Sequence, residues 1–155
     1  MTSLELTVEA LKLCVEPETF ERAYAQVSRG DIAPEASEKT ISRQIYEALK
    51  ELGAPPNNLG YQYCADAILL LVREPHLARR VTYGLYVRVG EMHGTTWQRV
   101  ERSVRRAIES IFDRGDPRVL AKYFGNVVHP DKGKLTNAEF LSAVANHIKI
   151  VMGIL

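Results

Sequence analysis

Apolar residues recur along this chain at three- and four-residue spacing, and no alternating apolar and polar stretch survives more than a few positions. The first spacing is that of a helix face; alternation, the mark of a half-buried strand, has no defensible instance. The pattern therefore predicts an all-α fold, a multi-helix bundle with helices over residues 4–14, 18–28, 37–52, 63–73, 75–85, 86–92, 95–114, 117–124 and 137–152. Pro75 and Pro117 suit first-turn positions, where the missing N–H costs nothing, and Gly30, Gly53, Gly115 and Gly125 suit helix ends. The runs GAPPNNLG and GNVVHPDKGKL are rich in turn formers and predict irregular loops. GDIAPEA, residues 30–36, reads as a linker, which divides the chain into an N-terminal helical extension and linker (1–36) and a main domain (37–155).

One helix stands out. In TTWQRVERSVRRAIESIFDRG, residues 95–115, Thr95 is followed three residues later by Gln98, the capping-box spacing in which each side chain satisfies the other's orphan backbone N–H. At about 100° per residue, Trp97, Val100, Val104, Ala107, Ile108 and Ile111 share one side, while Thr95, Gln98, Arg99, Arg102, Arg106 and Glu109 share the other. Upstream lies YVRVGEMHG. Two helices meeting steeply need a small residue in the first, a residue tolerant of positive φ in the turn, and an apolar residue in the second packing back; Gly90, Gly94 and Val100 occupy those places. This is the helix-turn-helix pattern, with 95–114 as the recognition helix.

Charge sharpens the picture. The 155 residues carry a formal net charge of only +1, yet residues 1–72 hold 6 Lys/Arg against 11 Asp/Glu, residues 73–106 hold 8 against 3, and residues 107–155 hold 6 against 5. Positive charge is thus concentrated in one third of the chain and in arginine, whose flat fork suits phosphates and guanine edges. Double-stranded DNA is the partner this predicts.

The same residues carry a family resemblance. TTWQRVERSVRRAIESIFDRG, with LGYQYCADAILLLV upstream and YFGN then LTNAEFLSAVANHI downstream, resembles the C-terminal DNA-binding effector domain of the stage 0 sporulation protein A family, response regulators that initiate endospore formation. The likeness covers about residues 38–152. It implies an all-helical domain that binds DNA as tandem copies, with the helix at Thr95 in the major groove and the following segment near RNA polymerase. Arg99, Glu101, Arg102 and Arg105 match the family's RVER-x-x-R positions, which implies base and phosphate contacts for them. The family also carries an N-terminal receiver domain, for which residues 1–37 are too short, and Trp97 and the Tyr86–Gly90 run depart from the family's usual residues.

The expected DNA-binding residues are therefore Thr95, Gln98, Arg99, Glu101, Arg102, Arg105 and Arg106. Blander roles compete at several positions. Glu101 and Arg105 form an i,i+4 pair that would support any exposed helix by about 0.2–0.5 kcal/mol. Arg79, Arg80 and Arg88 suit solvent as well as phosphate, Trp97 suits a helix-pair anchor, and Tyr61 and Tyr63 suit the mouth of the bundle. A second functional reading is a protein-interaction module that keeps the fold and acts on RNA polymerase or a partner regulator. The acidic first 29 residues motivate it.

Other classes are disfavoured. No Ser-His-Asp arrangement, paired-carboxylate cleft or Gly-rich phosphate loop is visible, so neither an enzyme nor a cofactor is expected. His76, His93, His129 and His147 lack ligand spacing, and Cys14 and Cys64 form no CxxC pair, so no metal site is expected and a reducing, cytoplasmic setting fits. The longest apolar run, AILLLV, is too short to span a bilayer.

Overall fold

The computed structural model describes residues 34–125 and 135–154, with side chains from residue 38 onward. Contacts divide the chain into two compact units, Met1–Lys39 and Thr40–Leu155, of which the second is described below. The helices expected over 4–14 and 18–28, Gly30, and most of the loop GNVVHPDKGKL lie outside the described residues.

Six α-helices occur among the described residues: α1 (Pro34–Glu51), α2 (Leu59–Arg73), α3 (Val87–His93), α4 (Trp97–Arg114), α5 (Pro117–Phe124) and α6 (Asn137–Met152). No strand occurs among the described residues, as the periodicity predicts. The bounds of α5 and α6 are those read from the sequence, because Asp116 and Thr136 cap them in plain view: the Asp116 side chain accepts from the Arg118 N–H, and Thr136 and Glu139 form a reciprocal capping box.

Elsewhere the elements shift. Helix α1 begins at Pro34, three residues before the expected start, so 34–36 of the expected linker are helical; proline is pre-set for a first helical position. Helix α2 begins at Leu59, inside the run read as an irregular loop, because the Asn58 side chain accepts from the Gly60 N–H and caps the helix early. The helix expected over 75–85 is instead a 3₁₀ turn, Pro75–Arg79, followed by a π-helical turn, Val81–Tyr86, that runs directly into α3. In that turn both Gly84 and Leu85 donate to the Arg80 carbonyl at 2.9 Å. The wider turn leaves Leu85 and Tyr86 buried in the core and Tyr83 exposed.

Helix α2 is the centre of the packing, lying against both α4 and α6. Its apolar positions Tyr61, Tyr63, Cys64, Ala67, Ile68 and Leu71 are buried, which explains why LGYQYCADAILLLVR is so uniformly apolar. The approach of α2 to α4 is close: a Cβ on Gly60 would stand 2.4 Å from the Ser103 carbonyl oxygen. At the far end, Phe112, Phe124 and Phe140 pack together, with Phe124 and Phe140 rings 5.3 Å apart, and join α4, α5 and α6. Glu51 at the end of α1 accepts from Lys122 Nζ (3.0 Å) and from the Tyr123 hydroxyl (2.8 Å) on α5.

Candidate nucleic-acid interface

Helix α4 is held by one face. Val100, Val104, Ala107, Ile108 and Ile111 are buried at or below 1% exposure, which fixes the rotation of the helix and so the direction of every other side chain on it. Burial of the two valines and two isoleucines contributes about 1.5–3 kcal/mol each. The opposite face carries Gln98, Arg99, Glu101, Arg102 and Arg106, all exposed. The side chains of Arg99, Arg102 and Arg106 make no hydrogen bond or ion pair with another described residue.

The junction between α3 and α4 has the geometry that the glycines predict. A Cβ at Gly90 would lie 2.7 Å from the Thr95 carbonyl oxygen, so only glycine lets the turn fold back against α3. Gly94 sits at φ +64°, ψ +35°, the left-handed conformation that closes α3. Thr95 N–H then donates to the Gly90 carbonyl at 2.9 Å. That bond corrects the expected cap: Thr95 belongs to the turn, half-buried, and the N-cap of α4 is Thr96, whose side chain accepts from the Arg99 N–H at 3.4 Å. Two adjacent threonines both fit the cap rule, and the packing of the turn against Gly90 selects the second. Helix α3 is tied to α2 through His93, whose Nε2 lies 2.5 Å from Asp66 Oδ2 and whose ring meets Tyr63 edge-on at 4.9 Å.

The other expected site residues divide. Gln98, Glu101, Arg102, Arg105 and Arg106 line one groove together with Val81, Thr82, Tyr86, Trp97, Thr136 and Asn137. Arg106 also borders a second groove with Ser103 and the Pro55–Leu59 loop. Arg105 differs from its neighbours. It is half-buried, and its Nε donates to Glu109 Oε1 (3.2 Å) while Nη1 donates to the Leu135 carbonyl (2.7 Å) and Asn137 Oδ1 (3.3 Å). The i,i+4 pair on this helix is thus Arg105 with Glu109, not Arg105 with Glu101. The Glu101 carboxylate has no partner among the described residues, while its backbone carbonyl accepts from Asn137 Nδ2 at 3.3 Å.

Several participants were not singled out from the sequence. Thr82, Thr136 and Asn137 reach the groove from the π turn and the start of α6; the Thr-Asn-x-Glu cap was the available signal for the last two. Tyr86 forms part of the wall: its hydroxyl, beside Asn137, is buried without a hydrogen bond of acceptable geometry, and burial pushes its pKa up to about 12. Trp97 is half-buried against the core and meets the exposed Tyr83 ring edge-on at 5.6 Å, the anchoring role expected of it. Arg88 pairs with Glu74, while Arg79 and Arg80 are exposed. Cys64 is a buried free thiol whose pKa burial pushes up to about 12, an inert position.

The fold and this junction define a helical domain of the helix-turn-helix class, with α3 as first helix and α4 as second. Residues 45–148 match the family described as sporulation initiation factor Spo0A C terminal, and the chain belongs to that family. The match spans α2 to α5, the last two turns of α1 and most of α6, and the family is one of DNA-binding regulators of transcription. No described helix is long and apolar enough to cross a membrane.

Proposed function

We propose that the chain is a sequence-specific, duplex-DNA-binding regulator of transcription, of the sporulation-initiation effector type, that reads the major groove with α4. The observation that carries this reading is the set of three exposed arginines, Arg99, Arg102 and Arg106, without partners among the described residues, on the second helix of a helix-turn-helix. On the same helix Arg105 does take an i,i+4 partner, Glu109, so the three open arginines contrast with their neighbour. In this reading Arg99 and Arg102 divide between guanine edges and phosphates, Gln98 and Glu101 offer amide and carboxylate contacts to adenine and cytosine edges, and Arg106 holds the backbone. With Thr96 as cap, the first-turn N–H groups of Trp97 and Gln98 face outward for a phosphate, next to Thr95. Membership of the family extends the reading to tandem copies on one duplex, to a contact with RNA polymerase beyond α4, and to a cytoplasmic site of action.

The test is selection of duplexes from a randomised pool, followed by affinity measurements over a range of salt. Wild-type protein should enrich a defined sequence and give a log affinity that falls linearly with log salt. Arg102→Ala should weaken the selected site and lower the slope by about 0.9 if it loses one phosphate contact, or relax one base position if it reads an edge. Failure of the wild-type protein to enrich any sequence would overturn the reading and favour a protein-interaction module.

A further inference from the structure

The side chain of Arg105 is set apart from the other arginines of α4 by what it touches. Three of its N–H donors are committed inside the protein, to Glu109, to the Leu135 carbonyl and to Asn137. Leu135 is itself buried at 7% exposure, and Asn137 is the first residue of α6. Asn137 completes a circuit: its Oδ1 accepts from Arg105 while its Nδ2 donates to the carbonyl of Glu101, one turn earlier on α4. The circuit ties the turn of α4 that carries Glu101 and Arg102 to the start of α6. Arg105 and Asn137 line the same groove as Glu101 and Arg102.

We infer that Arg105 is a positioning residue for the base-reading turn of α4, acting through Asn137 and the Leu135 carbonyl. This rests on the DNA-binding reading above and reassigns one of the residues that sequence resemblance implies as a contact. The physical argument is geometric. A guanidinium presents its donors in a fixed plane, so bonds to two acceptors at the start of another helix fix both the distance and the rotation of α4 there. An ammonium in its place would keep the positive charge but could not span the backbone carbonyl, the Asn137 amide and the Glu109 carboxylate in one plane. Errors of about 1 Å in the position of reading groups are enough to lose sequence discrimination while leaving general attraction to phosphates intact.

The experiment compares full-length wild type, Arg105→Lys, Arg105→Ala, Asn137→Ala and Arg105→Ala/Asn137→Ala. Each is titrated with a duplex selected by the wild-type protein and with a scrambled duplex, across a salt series. Circular dichroism confirms the fold, and Arg105→Lys and Asn137→Ala carry the test if Arg105→Ala fails to fold. A positioning role predicts that Arg105→Lys and Arg105→Ala both lose about tenfold on the selected duplex and less than about twofold on the scrambled one, with unchanged salt slope. It also predicts that the double variant is no worse than about the weaker single variant, because both substitutions break one link. A direct phosphate contact predicts the reverse: Arg105→Lys close to wild type, Arg105→Ala weaker on both duplexes with a slope smaller by about 0.9, and additive effects with Asn137→Ala. That pattern would overturn the inference and leave the DNA-binding reading standing. Absence of any selected duplex for the wild type would instead sink the reading itself.

Discussion

The two ends of α4 handle polar groups in opposite ways. Toward its N-terminus, Arg99, Arg102 and Arg106 stand exposed without partners among the described residues, and Tyr86 keeps a buried hydroxyl without a good hydrogen bond. Beyond its C-terminus, where α1, α5 and α6 meet, one cluster of polar side chains is partnered: Glu51 holds both Lys122 and the Tyr123 hydroxyl, and the Tyr123 ring lies 4.3 Å from the ring of His147. Polar groups that serve the fold are satisfied within it, since an unmet buried donor costs about 1–3 kcal/mol. Under the proposed function the comparison separates a reading end from a bracing end on one helix, and substitutions at the two ends should affect different observables.

The largest effect should come from Gly60, which underlies both ends because it seats α4 on α2. A valine there would drive its Cβ into the Ser103 carbonyl, at 2.4 Å before any relaxation, and α4 would have to lift. Gly60→Val should cost about 2–4 kcal/mol in urea unfolding and should weaken selected-duplex binding as well. Retention of both would mean that α2 and α4 are not locked as described.

Next in size is the separation itself. Arg102→Ala should cost about 1–3 kcal/mol of affinity for a selected duplex while changing unfolding stability by less than about 0.5 kcal/mol. Tyr123→Phe should do the opposite, costing about 1 kcal/mol of stability through the lost bond to Glu51 and leaving DNA affinity unchanged. A stability loss in the first or an affinity loss in the second, each measured on folded protein, would dissolve the distinction between the ends.

How much of this was legible in the sequence follows the same division. The buried face of α4 and the Gly90–Gly94–Val100 corner were readable because each rests on a local rule: a helical period, a close backbone approach, a positive φ. The cap at Thr96 was not, since Thr95 satisfies the same local rule and only the bond from Thr95 N–H to Gly90 distinguishes them. The start of α2 was missed because Gly60 argues against a helix locally, whereas contact with α4 demands a glycine there. Arg105 shows the limit most clearly. On a helical wheel it lies beside the outward arginines, and its partners Leu135 and Asn137 are about 30 residues away, beyond the reach of any i,i+4 argument. The π turn at Val81–Tyr86 likewise depends on where Leu85 and Tyr86 must be buried, which no window of the sequence contains.

The smallest expected effect concerns protons at the bracing end. Burial lowers the pKa of His147 below its ordinary 6.5; Lys122 pushes in the same direction, and Glu51 opposes them. The neutral ring is therefore the form the fold prefers, and protonation is easier in the unfolded chain. A depressed folded-state pKa gives a contribution to stability that is present above 6.5 and is lost as pH falls through the folded value. Glu51 is shifted down as well, first by its hydrogen bond from Lys122 and then by that from Tyr123, but from an ordinary value of 4.5, so its contribution is lost only in a more acid window. The two windows allow the residues to be told apart by urea unfolding at several pH values between 7.5 and 3. His147→Gln should flatten the decline in stability that begins just below 6.5, and Glu51→Gln should flatten the one that begins below 4.5. Neither substitution lies near the arginine face, so the pH dependence of DNA affinity measured on the folded proteins should match wild type. If His147→Gln left the decline below 6.5 unchanged, that decline would not belong to His147, and the assignment of mild-acid sensitivity to the bracing end would fail.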